Sequence, residues 1–185
     1  MQPLETPRLE LRPLELADAE QAQKLFPVWE IVKFLDTVVP WPYPGDGALT
    51  YLRDRALPAM ERGEEWQWSL RLKSNPGQLI GAIQLSMREN HNRAFWLGLP
   101  WQRQGLMTEA AEAVTEYWFS TLGFPVLRVP KAVGNTASRR ISEGQGMRVV
   151  AVEERDYVGG RFPTEVWEIT AEEWRARRRP ICSKL

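Results

Sequence analysis

Hydrophobic and polar positions change period twice along the chain, and each change predicts a different kind of element. Leu9 and Leu11 alternate with Glu10 and Arg12, and Pro13 ends the alternation, so Arg8 to Leu14 reads as a short edge strand. The period then lengthens. Ala22, Leu25, Phe26 and Trp29 recur at helical spacing behind Asp18, an N-cap type, with Gln21 at the capping-box position. A helix from about Ala19 to Trp29, bent at Pro27, is predicted. Val38 to Gly45 is too rich in proline for helix or sheet and displays Trp41 and Tyr43 on a stiffened loop. Asp46 can cap the next helix, whose stripe of Leu49, Leu52, Ala56, Leu57 and Met60 ends near Gly63.

From Trp66 the period becomes two. Trp66, Trp68, Leu70 and Leu72 alternate with Gln67, Ser69 and Arg71, Asn75-Pro76-Gly77 turns, and Leu79, Gly81, Ile83, Leu85 and Met87 alternate again. A third strand, Ala94 to Leu97, comes after the turn at Asn90-His91-Asn92. The period then returns to helical: Ala110, Ala113, Val114, Tyr117, Trp118 and Leu122 predict a helix over Thr108 to Leu122, with Gly123 placed to end it. Val126 to Val133 reads as a strand, Ser138 to Glu143 as a short helix, and Met147 to Val158 with Thr164 to Ile169 as a hairpin across Gly159-Gly160. Thr170 and Glu173 make a capping box for a last helix, whose arginines Arg175, Arg177, Arg178 and Arg179 complement its dipole or form a solvated tail. Residues 171–185 are expected to be a C-terminal helix and tail on one domain spanning 1–185.

Composition narrows the class. The 185 residues, 43% hydrophobic, are enough for one complete core. Basic and acidic residues balance at 24 each, so no bulk attraction to nucleic acid or anionic lipid is implied, and neither is expected as a partner. No apolar run is long enough to span a bilayer, and the N-terminus lacks the plan of a signal peptide. The single cysteine, Cys182, excludes an internal disulfide framework. A soluble, cytoplasmic protein is expected. Nine tryptophans stand out: Trp66, Trp68, Trp118 and Trp167 read as core, and Trp41, Trp96 and Trp101 lie nearer the residues that could carry chemistry.

That chemistry centres on Gln102-Arg103-Gln104-Gly105-Leu106-Met107-Thr108, between a strand and a strongly patterned helix. A helix start presents unpaired N–H groups and the positive end of a dipole, which suits a pyrophosphate. Gly105 lets the backbone come close, and Gln102 and Arg103 add donors. By itself, a glycine before a helix is equally a turn. No metal-ligand spacing, Gly-x-Ser-x-Gly or Gly-Lys-Ser/Thr motif is present.

Gln102-x-x-Gly105-x-Met107 resembles the Gln/Arg-x-x-Gly-x-Gly/Ala motif of the GNAT superfamily of acetyl-CoA-dependent N-acetyltransferases, and Thr108-Glu109-Ala110 is similar to the residues that typically come after it in that superfamily. Thr6-Pro7-Arg8-Leu9-x-Leu11-Arg12-Pro13 resembles the opening of the branch that holds the ribosomal-protein alanine and serine N-acetyltransferases. Phe95-Trp96-Leu97 resembles that branch's strand before the motif. Gly134-Asn135-Thr136-Ala137-Ser138, with Glu143 and Gly146-Met147, resembles its Asn-x-x-Ser helix and the stretch after it. The match runs from about Thr6 to Ile169. It departs at Met107, where the motif has Gly or Ala, at Arg103, where the branch has glycine, and at Met147, where it has phenylalanine.

The resemblance implies a mixed α+β fold, a twisted and mostly antiparallel sheet with a central splay flanked by about four helices. It implies acetyl-CoA as cosubstrate, no metal, and direct transfer of the acetyl group to an amine, either a protein N-terminus or a small molecule. Cofactor contacts map to Leu97, Leu99, Gln102 to Thr108, Asn135 and Ser138. Leu97 would give the oxyanion a backbone N–H, and Ser138 would protonate the leaving thiolate. Asp156 falls near the branch's carboxylate and is the first candidate for the base; His91 is a competitor. Ser138 suits a helix N-cap equally well, and Asn135 a turn. Trp41, Tyr43 and Trp96 would line the acceptor side. A homodimer is also common among similar proteins. The alternative is a catalytically degenerate module that keeps the fold and the cofactor, since fold never proves function.

Overall fold

The computed structural model describes residues 1–177; Arg178, Arg179 and Cys182 lie outside the described residues. Two antiparallel sheets divide the strands. The first runs in spatial order β1 (Leu4–Glu5), β2 (Leu9–Pro13), β3 (Glu65–Leu72), β4 (Asn75–Ser86) and β5 (Arg93–Leu97), and the second pairs β6 (Val126–Ala132) and β7 (Arg148–Tyr157) on either side of β8 (Gly160–Thr170). The mixed α+β fold expected from the resemblance is the fold observed.

Helix α5 (Leu106–Ser120) covers one face of the first sheet. Its Leu106, Met107, Ala110, Val114 and Trp118 meet Leu11, Trp68, Leu70, Ile83 and Leu97 in the main core, where each fully buried large side chain contributes on the order of 1.5 to 3 kcal/mol. Helices α1 (Ala19–Leu25), α3 (Gly47–Tyr51) and α4 (Leu57–Glu61) cover the opposite face; α2 (Trp29–Val32) comes after α1. Strand β3 is therefore buried on both sides. Gln67, Ser69 and Arg71, the polar half of its alternation, are all under 9% exposed and are paired rather than solvated. Arg71 meets the Asp18 carboxylate, and the Gln67 amide meets the Tyr51 hydroxyl.

Several elements differ from expectation for identifiable reasons. The Arg8 to Leu14 strand is interior, because the short β1 takes the edge. Asp18 does not cap α1: it ends a 3-10 turn, where its carboxylate accepts from the Glu15 N–H in a capping box and from Arg71. Gln21 likewise reaches β4, accepting from the Leu79 N–H and donating to the Gly77 carbonyl. The helix bent at Pro27 is two helices, α1 and α2, with Val28 extended between them, since Pro27 has no N–H to continue the ladder. Between α3 and α4 a π-helical stretch, Leu52–Ala56, lengthens the turn, with Leu57 N–H bonding the Leu52 carbonyl. It brings Ala48, Leu52 and Ala56 inward and leaves Leu49 exposed, which a uniform period of 3.6 could not show. The first hairpin turns at Lys73 and Ser74, and Asn75 to Gly77 belong to β4. Helix α5 begins and ends two residues earlier than expected.

The capping box at Thr170 and Glu173 forms as expected, starting α7 (Ala171–Arg177). Trp68, Trp118 and Trp167 are buried, Trp66 is partly so, and Trp174, which patterning had not placed, is buried as well. Among the described residues, no helix is long and apolar enough to cross a membrane.

Candidate active site

The two sheets meet between β5 and β6 and then part. At the start of both strands the Asn92 N–H donates to the Arg128 carbonyl, and the Asn92 side-chain carbonyl accepts from the Arg128 N–H. Toward Leu97 and Ala132 the strands diverge into separate sheets. On its other side β5 stays paired with β4 through Gly98 N–H to Ile80 carbonyl. In an antiparallel ladder the next residue back points the other way, so the Leu97 N–H and carbonyl face the opening. The Leu97 carbonyl there accepts the Gln102 side-chain amide at 2.8 Å. Close approach of the strands requires Gly81, since a β-carbon there would sit 2.5 Å from the Trp96 carbonyl oxygen.

Beyond Leu97, a 3-10 turn at Leu99–Trp101 leads to the head of α5. Gly105 is its N-cap residue, with φ of +75°, and no side chain caps the first turn, so its leading N–H groups stay available to an anion. The space beside Gly105 is open except for the Arg8 guanidinium, 3.5 Å from where a β-carbon would lie. Arg103 also has positive φ, a conformation the usual glycine would adopt without strain. Met107 turns inward and is 8% exposed within the main core, so its side chain leaves the cradle clear. Glu109 ties this region to the N-terminal hairpin: it accepts from the Thr6 hydroxyl and from the Arg8 backbone and guanidinium, while Arg8 also donates to the Gln104 carbonyl. Two stretches a hundred residues apart thus form one clamp.

A cavity of about 490 Å³ opens on the other side of the splay. Its walls include α1, the loop carrying Val38 to Pro44, strand β5 and the tip of the β7–β8 hairpin. The hairpin tip reaches α2 because Gly159 N–H bonds the Lys33 carbonyl; a β-carbon on Gly159 would meet that oxygen at 2.7 Å. Tyr43 and Trp96 both line the cavity and pack on Phe26, and burial pushes the Tyr43 hydroxyl up to about 12. Trp41 does not line it. Its ring is exposed and packs against Trp29, between Pro40 and Tyr43, which do line the cavity.

Asn135, Ser138 and Asp156 all reach this cavity. Asn135, not Ser138, is the N-cap of α6 (Thr136–Gly144), its side-chain oxygen accepting the Ser138 N–H at 3.2 Å. The Ser138 hydroxyl is thereby free for another partner, and it accepts a hydrogen bond from Lys131 Nζ at 2.7 Å. Asp156 is exposed, near the open end of β7. His91 is deeper, with Nδ1 3.7 Å from the Asp36 carboxylate; burial, assisted by the Arg88 charge and opposed by Asp36, lowers it to about 4.

Motif reading missed Lys131, Asp36 and Arg93. Lys131 did carry a signal, because it shares the inward face of β6 with Leu127 and Val129 and is a cation on an apolar stripe. Arg93 is fully enclosed, donating to Thr115 and Gln145, and burial lowers it to about 10.

The family profile described as "Acetyltransferase (GNAT) domain" matches residues 8–148. The chain belongs to the GNAT acetyltransferase family. It is thus an acetyltransferase by family, as the motifs implied. A search of curated protein sequences finds no match. Solved structures similar to this GNAT chain include a ribosomal L7/L12 alpha-N-protein acetyltransferase in complex with coenzyme A, 14% identical, with a TM-score of 0.77 over 91% of this chain and 98% of that one. A ribosomal-protein-S5-alanine acetyltransferase from Vibrio fischeri is 12% identical, with a TM-score of 0.78 over 97% and 100%. A microcin C7 self-immunity acetyltransferase in complex with acetyl-CoA and AMP is 13% identical, with a TM-score of 0.72 over 89% and 93%. At these identities the likeness is one of fold.

Proposed function

We propose that this GNAT chain moves the acetyl group of acetyl-CoA directly to a primary amine, either the α-amine of a protein N-terminus or a small-molecule amine. The observation that carries this reading is the opened edge of β5, where the Leu97 N–H faces the splay and the chain runs on into the uncapped head of α5. Coenzyme A and acetyl-CoA in two of the similar solved structures support it. The ribosomal-protein substrates in the descriptions of others support a protein N-terminus as one acceptor.

The main chain of Gln102, Arg103, Gln104, Gly105, Leu106, Met107 and Thr108 would hold the pyrophosphate, with Leu97 and Leu99 along the pantetheine and Asn135 at the cavity mouth. Bound acetyl-CoA supplies an activated thioester. The Leu97 N–H would face the oxygen on which negative charge develops when the amine attacks, a donor fixed in advance by the sheet. Ser138 would donate a proton to the departing sulfur, and Asp156, on the open wall, would draw the proton from an incoming ammonium. Tyr43 and Trp96 form the apolar side of the acceptor cavity.

The test is calorimetric titration with acetyl-CoA, wild type against Gly105→Asp. The aspartate adds a carboxylate to the cradle while tolerating positive φ better than most residues. Micromolar binding, about −8 kcal/mol, that is lost in the variant is the expected result. Peptides with free N-terminal alanine or serine, then small amines, come next as acceptors. Absence of wild-type binding would refute the reading, and binding without thiol release from any amine would leave a cofactor-binding module.

A further inference from the structure

Lys131 is the least expected residue in the cavity. Its side chain leaves β6 at a position 4% exposed, crosses the Phe95 ring with Nζ 5.3 Å from the centroid, and ends 2.7 Å from Ser138 Oγ. Among the described residues, no carboxylate lies within ion-pair distance of it. Glu165 is its neighbour on β8 but is held by Nε and Nη2 of Arg139 and by the Trp167 indole. The other charges around it come from Arg93 on β5, His91 before β5, and Asp36, Arg88, Arg155 and Asp156 across the cavity. In a lysine this enclosed the charged form is disfavoured: burial first, and Arg93 second, place it well below the ordinary lysine range. With the Lys131 amine donating to Ser138 Oγ, the serine's own proton is left free to point into the splay.

We propose that Lys131 and Ser138 act as one proton-handling pair, Lys131 receiving the proton released by the acceptor amine and Ser138 delivering one to the departing thiolate. The inference rests on the acetyl-transfer reading. The balance closes without a further reactant. The amine nitrogen bonds to the acetyl carbon and gives its proton to Lys131 Nζ; the carbon–sulfur bond breaks; Ser138 Oγ–H protonates the sulfur; and the lysine ammonium restores the serine proton across their 2.7 Å contact. Asp156 keeps the outer role, neutralising an ammonium at the mouth, while Lys131 acts at the enclosed end.

Two measurements test it. In protein labelled at the lysine ε-carbons, NMR titration follows Lys131 beside Lys24, Lys33, Lys73 and Lys184, the only other lysines, with Lys131→Met giving the assignment. Lys131 is expected to titrate well below the rest. Thiol release from acetyl-CoA with hydroxylamine as acceptor, a probe small enough to enter whatever the natural acceptor is, then compares wild type, Lys131→Met and Lys131→Arg across pH. Both variants should lose roughly 10²-fold or more in kcat, keep KM for acetyl-CoA, and lose the acidic limb of the kcat profile. Arginine should not rescue, because it does not release its proton. A merely structural lysine would leave the shape of the profile unchanged, and methionine fills the site without a charge should arginine fail to fold.

Titration of Lys131 together with the other lysines, or a Lys131→Met profile superimposable on the wild type, would overturn the relay. Failure of the wild type to bind acetyl-CoA or release thiol would sink the transferase reading itself. The lysine titration needs no substrate and keeps the two failures apart.

Discussion

The Asp18–Arg71 pair gives the sharpest stability test, because it joins the turn ahead of α1, one wall of the cavity, to the middle of the sheet. Both residues are under 9% exposed. Asp18 accepts from Arg71 Nη2 and from the Glu15 N–H, and Arg71 Nη1 donates to the Pro76 carbonyl. Asp18→Ala leaves the guanidinium enclosed with one carbonyl as partner. Breaking a buried pair on one side costs about 3 to 5 kcal/mol. For a chain of this size each kcal/mol lowers Tm by about 2 to 4 °C, so a fall of roughly 6 to 20 °C is expected. Urea unfolding followed by tryptophan fluorescence measures it, with m unchanged. Asp18→Ala combined with Arg71→Met removes both charges and should recover most of the loss, since burial of ions is itself costly. A single-variant loss below about 1 kcal/mol, the range of an exposed pair, would refute the claim that this contact is enclosed.

The site yields two further expected outcomes. His91 has a folded-state value near 4 against about 6.5 when unfolded, so its contribution is complete above pH 6.5 and is lost as pH falls toward 4. That gap corresponds to about 3 kcal/mol, and His91→Gln should flatten the unfolding free energy across that window; parallel curves for the two proteins would rule the buried neutral ring out. Glu109→Ala removes the clamp on Thr6 and Arg8 and should cost about 1 to 3 kcal/mol of stability. If about 1 kcal/mol of that bears on the cradle, acetyl-CoA binding weakens about fivefold by calorimetry, and an unchanged Kd would separate the clamp from the cradle.

Element types were legible wherever one residue face meets one environment. Helix α5 has an apolar stripe over one sheet, so periodicity located it to within two residues, the usual slack at element ends, whereas β8 begins four residues ahead of the expected Thr164. Periodicity failed where both faces are covered. Gln67, Ser69 and Arg71 look solvated in the sequence, yet helices lie over them, and nothing local announces a second layer. The π-helical stretch at Leu52–Ala56 was invisible for a similar reason, since it is recorded only in which residues the sheet accepts. In the candidate site, Gly105 and the residues around it were legible because a helix start with a left-handed glycine is a local device. Asn135 and Ser138 were marked by their resemblance to the family's Asn-x-x-Ser helix, but which of them caps α6 and which hydroxyl meets Lys131 needed the fold.

By itself the sequence determined the order and kind of most elements, the anion-ready head of α5 and the family. These depend on neighbours within a few residues, or on period. Only the tertiary structure decided that Trp41 does not line the cavity, that Met107 turns into the core, that Glu109 closes on Thr6 and Arg8, and that Lys131 ends beside Ser138 with no carboxylate in reach among the described residues. Burial and pairing are properties of what surrounds a side chain, and those surroundings come from residues dozens of positions away.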